Sequence, residues 1–210
     1  YDVETLPNAD LKVTDDGSKL YWAPIQMTDG KAVDEVTEFQ LAVKADANSS
    51  WQSDNIGQNA ILFDHEQNVF YVDLTSLLNS YSMYQVKAFN NEDATYTKES
   101  EAEITIAKLQ PVTNVQLISD TAAGVVKATW TDSANTEGLK GYKVELLKQN
   151  TEGTYEVVKT YETEETSYTL PGEDIDENVL ATYSVRVTAL GTKSYEGTFY
   201  ADSTVATTED

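Results

Sequence analysis

The sequence predicts an all-β protein made of two successive β-sandwiches. Three observations predict it. First, one pattern is written twice. Trp22 ends the run Lys19-Leu-Tyr-Trp22 and Trp130 ends Val126-Lys-Ala-Thr-Trp130. An aromatic-led alternating run follows each, Phe39-x-Leu41-x-Val43 and Tyr142-x-Val144-x-Leu146. Each copy closes on a tyrosine-led run, Tyr84-x-Val86-x-Ala88 and Tyr183-x-Val185-x-Val187-x-Ala189. Second, the tryptophans lie 108 positions apart, about the length of one small sandwich. Third, the apolar residues recur with period two in short runs bounded by turn residues, with no helical periodicity sustained over a helix length.

In the first copy, Ala9 to Val13 reads as the opening strand, and Asp15-Asp16-Gly17 as a turn, because aspartate caps it and glycine accepts positive φ. Lys19 to Trp22 is the second strand, stopped by Pro24, and polar Thr28 to Glu35 reads as a loop around Asp29-Gly30. Thr37 to Lys44 alternates, with Phe39, Leu41 and Val43 on one face. A long polar stretch, Ala45 to Asn59, holds Trp51. Ile61 to Phe63 and Val69 to Leu74 are further strands, Thr75 to Asn79 forms one helical turn, and Tyr84 to Phe89 and Glu101 to Ile106 complete seven strands.

The second copy opens with Val115 and Leu117 alternating after Pro111, followed by Val126, Ala128 and Trp130 and a loop through Asn135 to Gly138. Tyr142 to Leu147 pairs with Tyr155 to Tyr161 across Asn150-Thr-Glu-Gly153, a good hairpin turn. Ser167 to Leu170 is a short strand before the acidic loop Pro171 to Asn178. Ala181 to Leu190 reads as the longest strand, and Gly197 to Val205 as the next, with Thr204 to Asp210 a fading edge.

The second copy resembles a fibronectin type III domain through Leu109-x-Pro111, Val115, Trp130, Gly141-Tyr142-x-Val144, Ser167-Tyr-Thr-Leu170 and Tyr183-Ser-Val-Arg-Val-Thr-Ala189. The first resembles a divergent relative through Leu6-Pro7, Trp22, Phe39-x-Leu41 and Tyr84-x-Val86-x-Ala88. The expected architecture is two tandem seven-stranded immunoglobulin-like, fibronectin type III-like sandwiches, residues 1–107 and 108–210. Two departures stand out: the loop between Leu170 and Tyr183 is longer than the family's, and the first copy leaves open whether Tyr84 is the corner tyrosine or sits two residues further along. The tryptophans belong between the sheets, where they remove large apolar areas from water.

Composition bounds the chemistry. Apolar residues make up 40% of the chain, ordinary for a globular protein. There is no cysteine, which removes disulfides, thiolate nucleophiles and cysteine-based zinc sites. The formal charge is −22 and both halves are acidic, six basic against 19 acidic residues in 1–107 and eight against 17 in 108–210. Such a surface repels nucleic-acid backbones and anionic lipid headgroups, so neither is expected as a partner. The sole arginine, Arg186, is followed by Val187, so no Arg-Gly-Asp tripeptide exists. No apolar run approaches the ~20 residues of a membrane span. Both ends read as linker, with further protein or an anchor expected outside them. Proline in the Ala107-Lys108-Leu109-Gln110-Pro111 junction is expected to limit flexing there.

Catalytic machinery is not expected. His65, the only histidine, lies between Asp64 and Glu66. A serine hydrolase would need it as base, but no Gly-x-Ser-x-Gly elbow is present. Carboxylates abound, yet a glycosidase pair needs a cleft that a small sandwich has little room for. No cofactor and no transition-metal site are expected. The densest acidic run, Glu173 to Asn178, makes Asp174, Asp176 and Glu177 a weak calcium candidate, without the spacing of an EF-hand loop.

Ligand-binding candidates are aromatic. Trp51 sits among polar residues, Asn48-Ser-Ser-Trp-Gln-Ser-Asp-Asn55, where an exposed ring with amides and carboxylates suits a sugar. The alternative is that it covers a sheet edge. Tyr195 and Phe199, with Tyr200, form a second aromatic cluster. Asn48-Ser-Ser50 matches a glycosylation sequon. The resemblance implies a non-catalytic, extracellular or cell-surface module of a bacterial protein, acting as spacer and interaction surface toward protein or polysaccharide, with adhesion among its roles. The second expectation is a carbohydrate-binding accessory protein of a surface glycan-utilisation system.

Overall fold

The computed structural model describes residues 6–28, 33–36, 38–53, 60–89 and 99–208. The chain divides into two compact units. The first comprises residues 1–107 with Glu196–Phe199, the second residues 108–195 with Tyr200–Asp210. The architecture is all-β, with two turns of 3₁₀ helix among the described residues.

In the first unit, β1 (Lys12–Val13), β2 (Lys19–Trp22), β6 (Leu62–Asp64) and β7 (Val69–Asp73) form one sheet in the order β1-β2-β7-β6. The facing sheet runs β5-β8-β9 (Glu38–Lys44, Met83–Phe89, Glu99–Lys108), with Thr198–Ala201 (β16) beside β9. The seven framework strands stand four on three, the layout of a constant-type immunoglobulin domain. Alternation places Leu20, Trp22, Leu41, Val43, Val72, Val86 and Ile106 between the sheets, all buried. Trp22 is fully enclosed. Phe39 meets it edge-on at 5.5 Å and Phe70 stacks at 6.3 Å. Tyr84 is the corner tyrosine. It is completely buried at the start of β8, and its hydroxyl donates to the Tyr81 carbonyl at 2.9 Å.

The second unit has a three-stranded sheet, β10-β11-β14 (Thr113–Asp120, Val125–Thr131, Ser167–Leu170). It faces a four-stranded sheet, β13-β12-β15-β17 (Tyr155–Thr163, Leu139–Gln149, Tyr183–Gly191, Ala206–Thr207). The seven strands thus stand three on four. β13, the strand that follows β12, stays paired with it, whereas its counterpart β6 in the first unit pairs across with β7. Val126, Ala128, Trp130, Tyr142, Val144, Leu146, Val185 and Val187 fill the interior, and Tyr142 meets Trp130 edge-on at 5.2 Å. The Tyr183 hydroxyl accepts from the Asp176 amide at 3.3 Å, the second unit's corner.

Several elements differ from the sequence expectation. The polar stretch after Pro24 is not a plain loop. Ile25–Thr28 (β3) pairs with Val33–Val36 (β4), and the paired Ile25 and Val36 are buried in the first unit's core, which anchors the ribbon. The opening strand is shorter than Ala9 to Val13. The longest strand is β12, with 11 residues, rather than β15. The expected strand Gly197 to Val205 is split, and the segment that pairs with β15 is β17. The Asp29-Gly30 turn, Thr37, residues 54–59 and both termini lie outside the described residues.

Candidate functional site

Trp51 does not stand alone in a loop. Gln52 pairs with Val43 through two backbone hydrogen bonds, of 3.0 and 2.8 Å, so the segment runs along the free side of β5. That places the half-buried Trp51 beside Lys44, whose ammonium lies 4.7 Å from the ring centroid. The register Lys44↔Met83, Ala42↔Gln85↔Glu103 and Gln40↔Lys87↔Glu101 lays these side chains on the outward face of one sheet. Gln85 is buried there and donates to Glu101 at 3.2 Å and Glu103 at 3.0 Å, and Lys87 reaches Glu101 at 3.5 Å. The face is a flat polar strip with an indole at its edge. In the loop before Trp51, the Ser49 hydroxyl and the Asn48 amide hold Asp46 below the usual carboxylate range.

The second aromatic cluster is divided. Tyr195 is exposed and tilts against Tyr200 at 6.1 Å, while Phe199 is half-buried against the first unit's core. Tyr195 and Phe199 belong to different units.

The acidic loop is engaged in local bonds. Asp174 accepts from the Tyr161 hydroxyl at 2.7 Å and lies 3.7 Å from the Lys159 ammonium. Burial, with the Asp174 carboxylate beside it, raises the Tyr161 phenol above its ordinary range. Asp176 caps the 3₁₀ helix Glu177–Thr182, accepting from the Asn178 amide at 3.0 Å. Glu177 is exposed. Among the described residues no three carboxylate or imidazole groups converge as a metal would require. His65 is exposed and meets Phe63 edge-on at 4.9 Å.

The outward face of β12 and β15 carries a two-pronged ion pair. Arg186 donates to both oxygens of Glu145, at 3.0 and 2.7 Å, and Lys143 lies 3.8 Å away. The guanidinium holds the Glu145 carboxyl below its usual range, against a smaller opposing effect of burial.

A concave surface escaped the sequence reading. At one end of the second unit, a groove of about 670 Å³ is lined by Asn114, Gln116, Leu117, Tyr155, Leu180 and Ser184, among others. Ile118 and Tyr155 of its lining, with Val157 and Val158 of β13, are each close to two-fifths exposed. A signal was present. Leu117-Ile118 and Val157-Val158 are adjacent apolar pairs, and strands of period two must turn one member of such a pair outward. At β13, where the register shifts, both members are exposed. Leu146 faces Lys159 and Leu147 faces Val157, so Val158 is the extra residue of a bulge.

No protein-family model matches the sequence, and no curated protein matches it. Among solved structures, the chain is similar to a cytokine receptor complex, with 16% identity, a TM-score of 0.46, and coverage of 94% of this chain and 99% of that one. It is also similar to the FN1-FN3 domains of chicken CNTN1, with 18% identity, a TM-score of 0.40, and coverage of 99% and 68%.

Proposed function

We propose that this chain is a non-catalytic extracellular module of a bacterial surface or secreted protein, serving as spacer and protein-interaction surface. One observation supports it above the others: the free edge strand β13 presents Tyr155, Val157 and Val158 to solvent. Exposed apolar side chains grouped on one edge mark interaction surfaces. The bulge at Val158 interrupts the regular edge, which discourages indiscriminate strand pairing while leaving the side chains available. The interior positions of both units are taken up by packing, and Glu101, Glu103 and Glu145 on their outward faces pair with lysine, arginine or glutamine. Binding of the labelled chain to intact cells tests the reading. A Val157→Lys, Val158→Lys double variant is expected to lose binding at an unchanged melting temperature. Equal binding by both proteins would refute this edge as the contact.

A second reading, a carbohydrate-binding accessory protein, rests on Trp51 at the margin of the strip formed by Gln40, Gln85 and Lys87. Indole faces stack on sugar C–H groups while amides meet hydroxyls. Polysaccharide that shifts the tryptophan emission of the wild type but not of Trp51→Ala supports it. Unmoved emission across neutral polysaccharides discards it.

A further inference from the structure

We propose that the groove at the end of the second unit binds an uncharged oligosaccharide. The proposal takes its ligand class from the carbohydrate reading but places it on different residues. The chain carries a formal charge of −22, yet none of the described residues lining this groove is charged. A charged ligand entering it would lose hydration without a counter-charge in the lining. Anionic ligands would be repelled by the surrounding field as well.

The polar groups that line the groove are amides and hydroxyls. Gln116 donates to Asn114 at 3.2 Å, and the Ser184 and Thr208 hydroxyls lie 2.7 Å apart. Each of these groups both donates and accepts, as sugar hydroxyls do. Carbon surface lies between them. Leu117 and Leu180 contribute aliphatic groups, and the Tyr155 ring, 38% exposed, offers a plate for sugar C–H faces. The volume, about 670 Å³, lies within the range of small-ligand sites. An apolar peptide fits less well, because its side chains would cover amides and hydroxyls without satisfying them.

Parts of the wall are fixed before any ligand arrives. The Tyr183 hydroxyl accepts from the Asp176 amide, and Lys148 lies over the Tyr183 ring at 5.4 Å. Asn114 sits in the left-handed region, with φ of 54°, where the register of β10 shifts between Thr113 and Gln116. The bulge turns this part of the strand away from regular pairing.

Calorimetric titration of the whole chain tests the proposal, using neutral gluco-, manno- and xylo-oligosaccharides with oligogalacturonate in parallel. At least one neutral series is expected to bind, and oligogalacturonate is not. Tyr155→Ala and Gln116→Ala are each expected to weaken binding at least about tenfold, with melting temperatures unchanged because both residues are exposed. Silence across the neutral panel, or oligogalacturonate binding equally well, would overturn the proposal. Loss of binding in Trp51→Ala but not in Tyr155→Ala would also overturn it, while leaving the carbohydrate reading standing at the other site.

Discussion

Trp22 and Trp130 occupy equivalent places for the same reason: each is the last inward residue of its strand and meets an aromatic partner from the facing sheet. Neither indole N–H has an acceptor among the described residues. The two side chains therefore contribute through packed area and aromatic geometry. Trp130→Ala is expected to cost about 3–5 kcal/mol. Trp130→Phe should cost clearly less, since a ring remains and no hydrogen bond is forfeited. Chemical denaturation of the two variants checks this ordering, and equal losses would contradict it. Glu145 gives a pH-dependent counterpart. Arg186 favours its ionised form in the fold, so its folded value lies below the unfolded value of about 4.3. The stabilisation is complete above that unfolded value and drains away as pH falls through the lower folded one. Glu145→Gln is expected to cost about 1.5–3 kcal/mol at pH 7, toward the lower figure because Arg186 is a third exposed. The gap between wild type and variant should narrow as pH falls from 7 into the acid range, through that lower folded value. Denaturation midpoints across that range measure it, and a gap that persists undiminished in acid would remove the carboxylate from the account.

At the level of elements, what could be read from the sequence was what depends on a single strand's own alternation. Val126-x-Ala128-x-Trp130 and Tyr183-x-Val185-x-Val187 declare their inward faces without knowledge of any neighbour. The elements that escaped are those defined by a partner. Nothing local in Gln52 announces its pairing with Val43. Thr28 to Glu35 reads as polar loop because the pairing of β3 with β4 is a backbone pairing, and its buried pair, Ile25 and Val36, lies outside that stretch. The groove was illegible for a related reason. Asn114, Tyr155 and Ser184 come from three strands, and only the tertiary fold brings them to one end. The bulge at Val158 leads to a prediction of its own. Because Val157 and Val158 already face water, Val157→Lys and Val158→Lys should each change stability by no more than about 0.5 kcal/mol. A thermal melt showing a loss of several degrees would mean that these side chains are covered in solution.

At the level of the whole molecule, we propose a division of the sequence at 107/108 into its two repeats. The packing of the first unit also draws on a distant piece of chain. Phe199 is 92 positions beyond Ala107, yet it packs against the core built by Trp22, Val43 and Tyr84. Thr198–Ala201 stands next to β9 in the order of that unit's sheet. Strand addition at β9 satisfies backbone groups that would otherwise face solvent, and Phe199 adds apolar burial. Two consequences follow for stability. Phe199→Ala should destabilise the first unit, by less than the ~3–5 kcal/mol of a fully buried phenylalanine because the ring is only half enclosed. It should also do so locally, since a side chain lost from one core leaves the other core's contacts in place. Amide hydrogen exchange separates the alternatives. Faster exchange along β8 and β9 in Phe199→Ala, with β11 and β12 unchanged, is the expected pattern. Acceleration confined to β11 and β12 would show that Phe199 supports the second core instead, and a residue-by-residue profile identical to wild type would show that this ring supports neither.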